Sequence, residues 1–237
     1  MRILLIGYGT MNKIVARLAS EAGHEIAGVI SSGETDYPAF TNIDEANADV
    51  AIDFSNPERI QPLIEKDFQT PLVVATTGKK EEIVSALKER AAQAPVFFSA
   101  NMSYGVHVLN KLLREALSQL SDYDLELVER HHNKKVDAPS GTLVKLLDTA
   151  LDMRDGSYPV YDRSSVSNPR SKDEIGVSAI RGGTIVGEHE AIFAGLDEVI
   201  ELKHIAQSKD IFANGALVAA ENLVNKENGF YDYNNIF

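Results

Sequence analysis

Arg2-Ile3-Leu4-Leu5-Ile6-Gly7-Tyr8-Gly9-Thr10-Met11-Asn12 is the stretch that decides the fold of the first half of this chain. Arg2–Ile6 is a short apolar run, as expected of a parallel strand buried on both faces. A helix follows the glycines, with Ile14, Val15, Leu18, Ala19 and Ala22 on one side. Strand, glycine turn and helix together form the context in which a dinucleotide fingerprint is believable. The first glycine permits the tight turn, the second lets a pyrophosphate approach the backbone, and the helix N-terminus adds partial positive charge. A plain β-turn-α junction would look the same. Asn12 stands where the fingerprint has its third glycine, so helix and strand are expected slightly further apart there. The second strand, Glu25–Ile30, leads into Ser31-Ser32-Gly33. No carboxylate stands there for a ribose diol and no arginine for a 2′-phosphate, so the two hydroxyls leave the choice of cofactor open.

The alternation continues with strands at Val50–Phe54, Pro71–Thr77 and Pro95–Ala100, and helices after Pro57 and around Ile83, Val84, Leu87 and Ala91. In an open parallel sheet, ligands sit beyond the carboxyl ends of the strands. Those ends carry Gly7, Phe54-Ser55, Ala75-Thr76-Thr77-Gly78 and Ser99-Ala100-Asn101-Met102, nearly all small or polar. After Asn101 the texture changes. A long helix spans Tyr104–Leu120, and an alternating strand spans Asp124–His132. Residues 152–174 are a polar excursion of a length usually functional or mobile. Three further runs, Gly176–Arg181, Ile185–Ala194 and Glu198–Ala206, are separated by Gly182-Gly183 and Gly195-Leu196-Asp197, turns that suit antiparallel neighbours. Ile211–Val224 is a final helix.

Composition narrows the field. The 237 residues carry a formal net charge of −12, which argues against nucleic acid and against an anionic membrane as partners. There is no cysteine, so disulfides and thiolate chemistry are excluded. No apolar run is long enough to span a bilayer, and Met1-Arg2 leads into a strand rather than a signal peptide. A cytoplasmic protein is expected. The two adjacent histidines lack the H-E-x-x-H spacing, so no metal site is expected.

Against that acidic background, Glu129–Thr142 (E-R-H-H-N-K-K-V-D-A-P-S-G-T) concentrates Arg130, His131, His132, Lys134 and Lys135. Ser140-Gly141-Thr142 then starts a helix with Leu143, Leu146, Leu147, Ala150 and Leu151 on its buried face. The small residues of its first turn leave backbone N–H groups for a carboxylate or phosphate. Groups suited to proton transfer thus stand a few residues from an anion cradle. A solvated basic loop capping a helix is the bland alternative.

The block resembles the signature of the dihydrodipicolinate reductase family, E-x-H-H-x-x-K-x-D-x-P-S-G-T. It is met by Glu129, His131, His132, Lys135, Asp137, Pro139, Ser140, Gly141 and Thr142. Arg181–Glu190 and Phe212–Ala216 look like family segments too, so the resemblance runs through nearly the whole chain. Ala75 and Met102 stand where the family often has glycine and phenylalanine. The resemblance implies a Rossmann-like dinucleotide-binding domain, residues 1–102 completed by a C-terminal helix within 210–237. It also implies an α+β substrate and oligomerisation domain, residues 103–209, built on an open mixed sheet. The implied activity is NADPH- or NADH-dependent reduction of a small cyclic dicarboxylate in lysine biosynthesis, by a homotetramer. Carried over by position, His131 and Lys135 are the acid/base pair, and His132, Gly141 and Thr142 hold substrate. Gly7, Tyr8, Gly9, Thr10, Met11, Asn12, Ser31, Ser32, Ala75, Thr76, Thr77, Ser99, Ala100, Asn101 and Met102 line the cofactor. Asp137 is expected to organise its loop beside the lysines, which hold its pKa low. His107 and His189 are expected to be structural and His24 to lie on the surface. Arg181 is either a sheet-edge charge or reaches a cleft between domains. An aspartate- or homoserine-type dehydrogenase and a non-catalytic nucleotide sensor are the rival readings.

Overall fold

The computed structural model describes residues 1–164 and 166–237 and divides into two compact units, Met1–Tyr104 with Lys209–Phe237, and Gly105–Ser208. The first unit begins β1 (Arg2–Ile6), α1 (Thr10–Glu21), β2 (Glu25–Ile30), β3 (Val50–Asp53) and α2 (Pro57–Ile64). It continues with β4 (Leu72–Val74), α3 (Lys80–Arg90) and β5 (Pro95–Phe98). All these strands are parallel, in the order β5-β4-β3-β1-β2. Alternation along β1 explains the layering. Ile3 and Leu5 face a core shared with α1, while Leu4 and Ile6 face one shared with α2 and α3. A sheet covered on both faces needs the near-continuous apolar strands seen in the sequence.

The chain returns to this unit after residue 208. Helix α6 (Asp210–Leu223) packs its Ala213, Ala216, Leu217, Ala220 and Leu223 into the α1 side of the sheet. The expected helix therefore ends at Leu223, and Gly229–Tyr231 adds an unforeseen strand, β11, parallel to β5. Three residues are too few for a period-2 pattern to register. The Tyr233 hydroxyl locks this segment by donating to the carbonyls of Met102 (2.7 Å) and Gly215 (3.2 Å).

The second unit contains α4 (Tyr104–Gln119, its first residue in the other unit), β6 (Asp124–His131), α5 (Gly141–Met153) and the short β7 (Tyr158–Val160). Its last strands are β8 (Glu174–Arg181), β9 (Gly187–Ala194) and β10 (Val199–Ala206), and the sheet order is β10-β9-β6-β8-β7. Helices α4 and α5 cover one face, with Leu109, Leu113, Leu143 and Leu147 packed on Leu125, Leu127, Ile175 and Phe193. One expectation fails here. The Gly182-Gly183 turn does not join antiparallel neighbours, because β6 lies between β8 and β9, parallel to the first and antiparallel to the second. Two strand spacings come to roughly 10 Å, well within reach of residues 182–186. Only Gly195-Leu196-Asp197 closes a true antiparallel pair, β9 with β10. The polar excursion is held down at its described residues: β7 pairs with β8, Arg163 binds Glu174, and Arg170 binds Asp124 (3.0 Å) and Glu126 (3.1 Å). Ser165, within it, lies outside the described residues.

Candidate active site

In the first unit the strand order reverses between β2-β1 and β3-β4-β5, and open α/β sheets bind ligands at such a switch point. A cavity of about 330 Å³ lies there, lined by Gly7, Tyr8, Gly9, Ser31, Phe54, Ser55, Asn56 and Arg59. Gly7 has φ +82°, and a Cβ on it would stand 3.0 Å from Ser55 Cβ, so the turn needs glycine on both counts. A Cβ on Gly9 would meet nothing within 4 Å, and no side chain caps α1. That open helix end fits a pyrophosphate.

Asn12 does not open a gap. It is fully buried, and its Nδ2 donates to the carbonyls of Ile6 and Gly7, both at 2.8 Å, so the residue in the third glycine position ties the turn to its strand. Its side chain, like that of buried Met102, is therefore turned away from any ligand, leaving only backbone for contact. Thr76 is also buried, its Oγ1 donating to Asp53 at 2.6 Å, while Ser55 N donates to the same carboxylate at 3.0 Å. Asp53 thus joins the ends of β3 and β4. Burial pushes its pKa up, against the pull of the Ser55 and Thr76 bonds. Ser99 Oγ donates to the Asn101 carbonyl at 2.6 Å, shaping the end of β5. Thr77 and Ala100 are exposed at these edges, Ala75 is nearly buried, and Thr10 and Met11 form the first turn of α1.

The sequence offered no cation at the end of β2, and the structure supplies one from elsewhere. Arg59, on the first turn of α2, donates from Nη2 to Ser32 Oγ (3.0 Å) and from Nη1 to the Ile30 carbonyl (3.3 Å). Local spacing after β2 holds no trace of it.

In the second unit, β6 buries every other residue: Leu125, Leu127, Glu129 and His131. The core face of one strand therefore runs from apolar packing into ionisable groups. A carboxylate on a core face needs partners, and Glu129, with 0% exposure, has them. Arg181 grips it bidentately (Nη1–Oε2 2.8 Å, Nη2–Oε1 2.7 Å), Ser140 N donates to Oε1 at 3.1 Å, and His131 Nδ1 donates to Oε2. Burial pushes the Glu129 pKa up, but the Arg181 and His131 bonds outweigh it and hold the carboxyl below its usual range. An ionised carboxylate only accepts. His131 therefore carries a proton on Nδ1, and Nε2 is the ring nitrogen that Glu129 does not engage. Strand pairing places this group: His131 is opposite Arg181 on β8, and Glu129 is opposite His189 on β9. Arg181 is therefore not a bare edge charge. It is the counterion of Glu129, and Nη2 also donates to the Asp137 carbonyl at 2.6 Å.

His189 shares a 3.0 Å hydrogen bond between Nε2 and Ser140 Oγ, and its ring stands 5.2 Å from that of His131. Burial, with His131 adding to it, takes its pKa down to about 4. Ser140 is the N-cap of α5, accepting from Leu143 N at 3.3 Å. Beyond the cap, Gly141 is exposed and a Cβ there would meet nothing within 4 Å. His132 Nδ1 is buried without a hydrogen-bond partner among the described residues. Lys135 Nζ donates to both Asp137 oxygens (2.7 and 2.8 Å), which holds the Asp137 carboxyl low as expected.

Not every residue of the basic block joins this group. Arg130 points to the opposite face of β6 and binds Glu190 (2.7 Å) and Glu188 (3.5 Å), and Lys134 is exposed. His24 is not simply on the surface, since its Nε2 meets Glu221 at 3.1 Å and its Nδ1 the terminal amine at 3.2 Å. His107 is half-buried on α4. Among the described residues, no cluster of histidine and carboxylate side chains could hold a metal ion, and no helix is long and apolar enough to cross a membrane.

Residues 1–102 match the model described as dihydrodipicolinate reductase, N-terminus, and residues 105–237 the one described as its C-terminus. The 4-hydroxy-tetrahydrodipicolinate reductase of Staphylococcus carnosus is 62% identical over 240 residues, covering 100% of this chain and 99% of the relative. That of Staphylococcus aureus strain Newman is 59% identical over 240 residues, covering 100% of both. A dipicolinate-bound dihydrodipicolinate reductase from Paenisporosarcina sp. TG-14 shares the fold, with TM-score 0.76 at 19% identity over 99% of each chain. An aspartate dehydrogenase from Thermotoga maritima also shares it, more distantly, with TM-score 0.51 at 14% identity over 95% of this chain and 97% of that one. The two family matches jointly span both units and include Glu129–Thr142: the chain belongs to the dihydrodipicolinate reductase family.

Proposed function

We propose that this chain reduces 4-hydroxy-tetrahydrodipicolinate to tetrahydrodipicolinate with NADPH or NADH, in the diaminopimelate route to lysine. The observation that carries this reading is the folded Glu129–Thr142 block, which puts an oriented histidine, a lysine and the Ser140-capped start of a helix with an exposed Gly141 in one segment. In this reaction the substrate ring loses its hydroxyl as water and gains a hydride and a proton. The dinucleotide, when bound, supplies the hydride. Gly7, Tyr8, Gly9 and Ser31 line the cavity that would hold it, and the uncapped start of α1 would meet its phosphates.

This chain's own residues provide the rest. The first turn of α5, with the Gly141 and Thr142 N–H groups and the His132 ring, would hold the substrate carboxylates. His131 and Lys135 would form the acid/base pair, with Lys135 donating to the carbanion or enamine carbon. Glu129 fixes which His131 nitrogen takes part. In this assignment residues 1–102 with 210–237 bind dinucleotide, and residues 103–209 bind substrate and carry the oligomer contacts.

The test is loss of 340 nm absorbance on mixing the protein with dihydrodipicolinate synthase product and NADPH, then NADH. Wild type turns over, and Lys135→Ala loses roughly 10²–10⁴ in kcat, the usual worth of a positioned acid/base group. No turnover with either cofactor, despite dinucleotide binding, would favour the sensor reading instead. A cytoplasmic homotetramer is part of the proposal. Exposed Val199, Ile200 and Ile205 on β10 support it, since apolar residues on one strand suit burial by another copy. Light scattering should return four chain masses.

A further inference from the structure

We propose that Arg59 is the residue by which this enzyme recognises the adenosine 2′-phosphate of NADPH, with the Ser32 hydroxyl beside it. The inference rests on the dinucleotide reading of the first unit and specifies it. In parallel folds of this kind the adenosine ribose sits past the end of β2, where a carboxylate suits the diol and an arginine the phosphate. Here the loop after β2 brings Ser31 and Ser32, and the guanidinium arrives across the switch point from α2. Asn56 fixes its base: as N-cap, its side chain accepts from Arg59 N at 3.0 Å. Bonds to Ser32 Oγ and the Ile30 carbonyl then hold the planar head along the rim of the 330 Å³ cavity that also contains Gly7 and Gly9.

Among the described residues, no carboxylate takes up the charge of that head. Arg2, Arg17, Arg90, Arg163 and Arg170 all stand against carboxylates, as expected in a protein with 35 acidic and 23 basic residues. Arg59 has no carboxylate within ion-pair distance among the described residues; its side-chain partners are a hydroxyl and a carbonyl. A guanidinium has five N–H donors, so two such bonds leave several for a phosphate, in the fork geometry that suits it. The nearby acids, Glu34 and Asp36, line a second cavity of about 690 Å³ together with Tyr8, Lys13 and Thr35. Arg59 is absent from that lining. The two cavities share Tyr8, so the adenosine end has a cationic wall on one side and an acidic one on the other. In the second, Lys13 stands with two carboxylates, so the Arg59 wall is the better match for a 2′-phosphate.

Fluorescence titration of NADPH and NADH into wild type, Arg59→Met and Arg59→Lys tests this without substrate. Arg59→Met should weaken NADPH roughly 10–100-fold, the worth of one or two hydrogen bonds to a charged group, and lower the NADH-to-NADPH Kd ratio by a similar factor. Arg59→Lys should recover part of that ratio. Wild type should also release NADPH to 2′,5′-ADP at lower concentration than to 5′-AMP, a comparison that needs no variant. Equal loss of both cofactors in Arg59→Met, an unchanged ratio, or equal competition by 2′,5′-ADP and 5′-AMP would each overturn the proposal. Lack of turnover on synthase product would remove the reductase reading while leaving a 2′,5′-ADP preference standing, so the two failures are distinguishable.

Discussion

Glu129 shows how much one side chain decides in this protein. Its four donors come from two strands and a helix cap: two from Arg181 on β8, one from His131 on its own strand, and one from the Ser140 backbone at the start of α5. It therefore does two jobs, holding β8 and α5 to β6 and setting the tautomer of His131. Glu129→Gln keeps the shape and removes the charge. The amide must then turn a donor toward Arg181 or toward His131, and a guanidinium whose side chain is only 19% exposed loses its counterion. Breaking a buried pair from one side costs about 3–5 kcal/mol, so the thermal midpoint should fall well below wild type. With the tautomer no longer imposed, kcat should drop by roughly 10²-fold or more, and the pH–rate profile should change shape. A lower melting temperature with an unaltered pH–rate profile would reduce Glu129 to a structural strut.

Among the elements, α6 makes the sharpest demand. A Cβ on Gly215 would lie 1.7 Å from the Met102 carbonyl oxygen, backbone against backbone with no flexible end to yield. Gly215→Ala should therefore shift the helix from the sheet and cost on the order of 1–3 kcal/mol or more, read as a lower urea midpoint. Replacement of exposed Asn214 on the same helix by alanine is the control and should stay within about 0.5 kcal/mol. A Gly215→Ala midpoint equal to wild type would show that the helix has slack. Elements of this length were legible in the sequence because periodicity over a dozen residues is hard to mistake; α1, α4, α5 and α6 fall where the apolar spacing puts them. Strand neighbours were less legible. The glycine turn after Arg181 looks like a hairpin, but inserting β6 between β8 and β9 is a tertiary choice that no local pattern records. The site divides in the same way. The glycine turn and the basic block are contiguous and could be seen. Arg181 on Glu129 and Arg59 on Ser32 join residues far apart in the chain, and only folding brings them together. One further signal lies in the sequence itself: the alternation of Leu125 and Leu127 places Glu129 on the core face, where a carboxylate requires a counterion.

At the scale of the whole molecule, the two units should respond to acid in different pH ranges. The histidines whose pKa values are depressed, His189 to about 4 and His204 also downward, both owe it first to burial, and both lie on the sheet of the second unit. A histidine ordinarily titrates near 6.5, so as pH falls from there the unfolded chain takes up protons that the folded unit refuses. The stabilisation these groups give is complete above about 6.5 and is lost as pH falls toward about 4. The surroundings of His189 deepen the effect. His131 stands beside it and Lys135 adds in the same sense, with Glu129 alone opposing. Glu129, held low, adds a second loss that begins as pH falls through the ordinary carboxylate range. The first unit has nothing equivalent in that window. Asp53 has a raised pKa, so its contribution is present at acid pH and lost on the way up, while Glu45, lowered to about 2 by bonds from Thr41 and Asn42, gives way only in stronger acid. Acidification from pH 7 to 5 should therefore loosen residues 105–208 before the rest. Hydrogen-exchange protection factors, corrected for intrinsic rates, should fall in β6, β8 and β9 while holding in β1, β3 and β4. His189→Gln, which cannot titrate, should flatten the difference. Protection that falls equally in the two sheets, or first in the parallel one, would place the acid sensitivity elsewhere than in these buried imidazoles.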